Sequence, residues 1–359
     1  MRLLYVPNEH GDFRQVGFRR PLENLLTAGL IDDLSIFSLL WRVRAGGDPR
    51  EHVAALITRV RAFQPDVVLM QHLGGTSLQR HDFELMREAA DFQLIYHEAD
   101  PYSRFIHPLP QEARRAGRAA DVVFTVGSST FADNFRRAGA RDVRFESHCF
   151  ESERYDRRPV DSEPNRRFDV VIVANKNTPR LRGHPNWRER IKFVETLERR
   201  FGSRVAVFGK NWAGPSAKGP IPFDAQQDAI RSAWVSANWD HYAREESYFS
   251  NRLPISLAAA SVHATTLHPG YDKIFADETK RFLIFGHTPT QLSISIERYL
   301  ESTSTEERIR AQRSAQEYAY KRFRQDDQLV RMLNFSRPIV DPISASEIWD
   351  ESARVRDEI

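Results

Sequence analysis

The 359-residue chain has one cysteine, Cys149, which excludes an intramolecular disulfide and any zinc site built from cysteines. Its place beside Phe150 predicts a small buried filler, and a chain this poor in thiols fits a reducing cytoplasm. Long hydrophobic runs are missing too: nothing approaches the roughly 18 consecutive apolar residues of a membrane span. Met1-Arg2-Leu3-Leu4-Tyr5-Val6 runs straight into strand-like sequence without a signal-peptide pattern. The expectation is a cytoplasmic protein with at most peripheral membrane contact. Such contact would use Arg114, Arg115, Arg118, Arg136 and Arg137, which otherwise make a solvated helix face. A surplus of one sign of charge is lacking, since 52 Lys and Arg stand against 49 Asp and Glu, net +3, so nothing demands nucleic acid as a partner and it stays a remote alternative. Glycine-rich signatures are absent as well. No G-x-G-x-x-G follows the first strand, no Walker loop occurs and no G-x-S-x-G, which excludes a nicotinamide dehydrogenase, P-loop phosphoryl transfer and an α/β-hydrolase. No H-E-x-x-H or D-x-D stands out, so no metal site is expected.

What is present is an alternation. Leu3–Val6, Leu34–Phe37, Val67–Met70, Leu94–Tyr96, Val122–Val126 and Val143–Phe145 read as strands, with helical stretches such as Pro49–Phe63 and Ser129–Ala138 between them. A charged, proline-containing segment at 158–167 reads as a linker. The pattern then restarts with strands at Phe168–Val173, Val205–Phe208, Trp234–Trp239 and Val262–Leu267, separated by helices near Trp187–Phe201, Ala225–Ser232 and Pro254–Ala260. Glu306–Phe335, without Pro or Gly, reads as helix. The expected architecture is α/β: two Rossmann-like doubly wound domains, 1–157 and 168–336, with a tail 337–359 crossing back to the first. Ligands of such sheets bind at the carboxyl ends of the strands, so a cleft between the domains is the default site.

Past the first strand, His10 and Asp12 pair a near-neutral base with a carboxylate, the types that hold or deprotonate a hydroxyl, or else they make a polar turn. Past the fourth strand come His97, Glu98 and Asp100 in Tyr96-His97-Glu98-Ala99-Asp100-Pro101-Tyr102. His97 is placed to contact a donor sugar, and Glu98 or Asp100 to orient a hydroxyl or stabilise oxocarbenium-like charge, unless Asp100 caps the next turn.

In the second half, Asn175-Lys176-Asn177 and Arg182 follow one strand and suit a departing diphosphate, which needs fixed cations beside it. Gly209-Lys210-Asn211-Trp212 follows the next, where glycine admits a ligand to the backbone and the indole either stacks on a base or covers core. Asn251-Arg252-Leu253-Pro254, with Ser256 beyond, opens a helix whose amides would receive phosphate.

The order of Asn251-Arg252-Leu253-Pro254-Ile255-Ser256-Leu257-Ala258-Ala259-Ala260-Ser261, the loop His268-Pro269-Gly270-Tyr271-Asp272-Lys273-Ile274-Phe275 and the helical Glu306–Arg310 segment resembles GT-B glycosyltransferases. It is most similar to CgeB-type spore maturation proteins, relatives of the large retaining family four. The resemblance implies a metal-independent glycosyltransferase with a nucleotide-diphosphate sugar as co-substrate, no resident cofactor and an acceptor of unspecified class. It puts the diphosphate cations on Lys176 and Arg182, six positions apart with Gly183 after the second, the sugar-contacting histidine on His97 and the phosphate helix near Arg252. The family's E-x7-E glutamates fall on Tyr248 and Ser256, so its ribose and sugar-face carboxylates do not carry over. Two other functions share these features: a nucleotide-sugar epimerase or hydrolase, and a degenerate binding subunit.

Overall fold

The computed structural model describes residues 1–11, 13–105, 107–160, 166–177, 184–336, 338 and 340–342. The chain divides into two units, one made of Met1–Ser147 with the segment from Gln325 onward, the other of His148–Arg324.

In the first unit six parallel strands, β1 (Arg2–Val6), β2 (Asp33–Ile36), β3 (Val67–Gln71), β4 (Gln93–Glu98), β5 (Val122–Thr125) and β6 (Val143–Phe145), lie in the order β2-β1-β3-β4-β5-β6. Side chains alternate between two buried faces, which is why the strands read as nearly continuous apolar runs. Leu3, Tyr5, Leu69 and Ile95 face the helix Val16–Thr27 and Leu329, Val330, Met332 and Leu333. Leu4, Val68, Met70, Leu94 and Tyr96 face Val53, Leu56 and Val60 of the helix Pro49–Phe63. The order reverses between β1 and β3, so the loops after these strands diverge and open a crevice at their carboxyl ends.

The second unit repeats the plan with β7 (Phe168–Val173), β8 (Val205–Phe208), β9 (Ala217–Gly219), β10 (Ala233–Ala237), β11 (Val262–Thr266) and β12 (Leu283–Gly286), in the order β12-β11-β10-β7-β8-β9. Its switch point lies between β7 and β10. The doubly wound fold read from the sequence is present in both units, with β9 and β12 added.

The units divide elsewhere than at 157/158. Residues 148–157 belong to the second unit, where Phe150 and Tyr155 enter the core and the Phe150 amide donates to the Phe323 carbonyl (2.9 Å). The stretch read as one helix is two, Thr305–Arg322 and Gln325–Leu333, in different units. Four core residues of the second helix thereby return to the first unit ahead of the expected tail, most of which lies outside the described residues. Cys149 is buried in the second unit's core, as a filler would be.

Candidate functional site

In the first unit the switch-point crevice gathers a histidine beyond those expected from the sequence. His72 follows β3 with φ +40°, a left-handed conformation in which a non-glycine residue is strained. Its Nδ1 lies 3.2 Å from Glu98 Oε1 and 3.1 Å from Asp100 Oδ2. Tyr96 donates to the other Glu98 oxygen (2.6 Å), and the Asp100 amide donates to Glu98 Oε1 (3.2 Å). Burial alone would lower the His72 pKa, but the hydrogen bonds that the ring donates to Asp100 and Glu98 override it and raise it to about 10. The imidazolium is thus held by two carboxylates.

His10 is within electrostatic range. Its pKa is lowered by burial first, then by Arg44 and His72, with Asp100 opposing. The structure therefore brings Glu98, Asp100 and His10 around His72, while Asp12 lies outside the described residues. Glu9 of the same loop is fully buried and structural: it accepts from Arg19 Nη2 (2.7 Å) and Ser38 Oγ (2.6 Å).

His97 does not join this group. Neighbouring residues of a strand point to opposite faces, and its ring sits edge-on to Phe18, at 6.0 Å, on the face opposite Glu98. There Tyr5 donates to Gln71 Oε1 (2.5 Å), and the Gln71 amide donates to His97 Nδ1 (2.9 Å). The ligand atoms of His72, Glu98 and Asp100 all lie within 4.8 Å of one another, close enough for a cation. The signal for His72 in the sequence is Gln71-His72-Leu73-Gly74-Gly75, a histidine and paired glycines immediately past a strand.

In the second unit a cavity of about 370 Å³ opens at the switch point. The ends of β7, β8 and β10 form its floor through Ala174, Gly209 and Ala237, and Asn175, Lys210, Asn251, Arg252 and Ser256 surround it. Gly209 is required: at φ +150° a Cβ would meet the Ala174 carbonyl oxygen at 2.1 Å. Asn175 Oδ1 accepts from the Lys210 amide (2.8 Å), locking the two strand-end loops together. Arg252 Nε donates to the Val173 carbonyl (2.8 Å), which fixes its guanidinium at the end of β7. No carboxylate belongs to the described lining.

Of the residues singled out from the sequence, Gly209, Lys210, Asn251, Arg252 and Ser256 come together here. Lys176, Asn211 and Trp212 stand beside the cavity, with Lys176 Nζ 5.6 Å from the Trp212 ring centroid. The indole donates to the Ala174 carbonyl (2.6 Å) and packs on the core, so it acts as a clamp. Arg182 and Gly183 lie outside the described residues. The helix at Arg252–Ala258 is only seven residues long; Pro254 has no amide proton and the Leu253 amide is taken by Ser250 O (3.1 Å), so side chains carry the anion chemistry. Ser256 hydroxyl contacts Ser236 hydroxyl (2.8 Å), and Tyr248 is buried against His268.

Sequence reasoning also missed the buried network behind Arg252. After β10, Asp240 is held by Asn238 Nδ2 (2.5 Å) and by His268 Nε2 (3.2 Å). Burial opposes its charge, but His268 and Arg190 keep its pKa well below the usual carboxylate range. Arg190 donates to the Trp239 carbonyl (2.8 Å); burial, then the nearby Arg252, pulls its pKa down to about 9. The buried Arg190 and the half-buried Arg252 thus both lie within electrostatic range of the Asp240 carboxylate. The signal was Asn238-Trp239-Asp240-His241-Tyr242, again immediately past a strand.

No family model matches the chain, and no curated protein sequence does either. Solved structures do. HepE from Anabaena, in complex with UDP-glucose, is 14% identical with a TM-score of 0.59, covering 93% of this chain and 99% of its own. A glycosyltransferase from Rickettsia africae ESF-5 is 10% identical with a TM-score of 0.61, covering 97% and 98%. A putative UDP-N-acetylglucosamine 2-epimerase from Listeria monocytogenes is 11% identical with a TM-score of 0.53, covering 94% and 98%. At these identities the likeness is one of fold, and the fold is that of the GT-B glycosyltransferases.

Proposed function

We propose that the protein is a glycosyltransferase that takes a sugar from a nucleoside-diphosphate donor bound in the second unit and passes it to an acceptor hydroxyl or other nucleophile served by the first. The cavity at the β7/β10 switch point carries the reading. It is lined by the cations Lys210 and Arg252 and by side-chain amides, without a carboxylate among the described lining, and the buried guanidinium of Arg190 lies close to Arg252. A departing diphosphate gains most from cations fixed before it leaves, because they need no reorganisation as its charge develops. Arg252 and Lys210 hold that place, assisted by Lys176 and, by the resemblance, Arg182. This charge stands where a divalent ion would otherwise act, and we read the transfer as metal-independent. On the acceptor side His10, whose pKa is lowered, serves as the base, and His72, protonated between Glu98 and Asp100, supplies a fixed positive charge beside it.

Thermal unfolding with a panel of nucleotide sugars, together with release of nucleoside diphosphate, tests the reading. At least one donor should raise the melting temperature, and Lys210→Ala should weaken its binding by about 1.5–3 kcal/mol, the range for charge-assisted hydrogen bonds. No shift with any donor would sink the proposal. Donor turnover without an acceptor would instead favour an epimerase or hydrolase, a reading that shares the fold of the Listeria structure.

A further inference from the structure

We propose that Gln226 reads the 4-position of a pyrimidine or the 6-position of a purine and makes the cavity selective for a base with a carbonyl oxygen there: uracil, thymine or guanine rather than cytosine or adenine. The inference rests on the reading of the cavity as a donor-nucleotide site.

Gln226 begins the short helix Gln226–Arg231 and lines the cavity together with Pro220, Ile221, Pro222, Phe223 and Ile230, an apolar wall of the kind that receives a flat ring. Phe223 is 45% exposed, one of few large apolar side chains so exposed among the described residues, and is backed by the Arg154 guanidinium 5.1 Å from its centroid. An exposed ring on a cavity wall is a stacking platform.

The amide of Gln226 has a defined orientation. Tyr155 is buried, and its hydroxyl donates to Gln226 Oε1 (3.1 Å). Burial, reinforced by Glu151, pushes that phenol well above its ordinary range, so it remains a donor at any working pH. The neighbouring Gln227 amide donates to the Asp156 carbonyl (2.7 Å) and ties the start of the helix to the Tyr155 segment. With Oε1 engaged, Gln226 has its two Nε2–H donors left for a ligand. Asn175 repeats the arrangement, because its Oδ1 is engaged by the Lys210 amide. Arg252 and Lys210 have only donors to give. To pair with these groups a ligand brings acceptors: phosphate oxygens for the cations and a carbonyl for Gln226. Uracil and guanine place an oxygen where cytosine and adenine carry an amino group. An amino group against Nε2 would leave two donors facing each other unpaired.

Calorimetry with UDP, GDP, CDP, ADP and inorganic pyrophosphate tests this. UDP should bind at least about tenfold more tightly than CDP, and GDP than ADP, each comparison being made at constant ring size. Gln226→Met should collapse both ratios to within about threefold while pyrophosphate binding is kept, since it removes the donors to the base without adding charge. Tyr155→Phe, which frees the amide to turn over, should relax the ratios in the same direction and serves if the first variant fails to fold. Native ratios within threefold, or ratios retained in both variants, overturn the selectivity but leave the donor site standing. Failure of every nucleoside diphosphate and of pyrophosphate to bind overturns the donor-site reading along with it.

Discussion

His72 shows how one side chain joins a strained backbone, a charge balance and a candidate chemical role. Its pKa in the folded protein, about 10, lies above the ordinary 6.5, so folding favours the protonated ring. That contribution is fully present below about pH 6.5 and is lost as pH rises through about 10. The melting temperature of the native protein should thus fall between pH 6.5 and 10 by more than that of His72→Gln. Melting curves across this range check it, and parallel pH dependences would remove the Glu98–His72–Asp100 charge cluster as the cause. At the same scale lies the reason His97 was the less informative histidine. Sequence shows that a residue ends a strand but not which face it takes, and one step along β4 exchanges the crevice side for the Phe18 side.

Elements were legible where burial on both faces leaves a continuous β-branched signal, as in Phe168–Val173 and Val67–Gln71. They were illegible where a break has no chemical mark. Nothing between Glu306 and Phe335 is Pro or Gly, yet the helix stops at Arg322 because the Phe323 carbonyl is engaged by the Phe150 amide from far along the chain. The candidate site divides likewise. Gly209 was readable because only glycine permits that turn, whereas Asp240 and Arg190 acquire meaning only from each other's position. Gly209→Ala is the matching test of the β7–β8 junction. Forcing a Cβ toward the Ala174 carbonyl should cost roughly 1–3 kcal/mol of backbone strain or more, read by chemical denaturation, together with weaker nucleotide binding. Full stability in that variant would show that the two loops yield without cost.

At the scale of the whole molecule, the helix Gln325–Leu333 closes the unit that the N-terminus begins. Leu329, Val330, Met332 and Leu333 are buried there, each contributing about 1.5–3 kcal/mol on burial, against a stability of about 5–15 kcal/mol for a typical domain. A chain ended after Arg324 should therefore lose the first unit's melting transition and keep the second's. Calorimetry resolves the two, and an unchanged first transition would mean that the helix is dispensable.

The second unit is a continuous insertion whose two ends meet where Phe150 pairs with Arg324. During synthesis, then, the part that starts second is finished first. The N-terminal sheet has to wait while the ribosome adds the whole inserted segment, roughly ten to forty seconds at about 5–20 residues per second. Throughout that interval the apolar surface reserved for Leu329 and Leu333 stays uncovered, an opening for chaperones and for aggregation that a chain with two consecutive domains would not have.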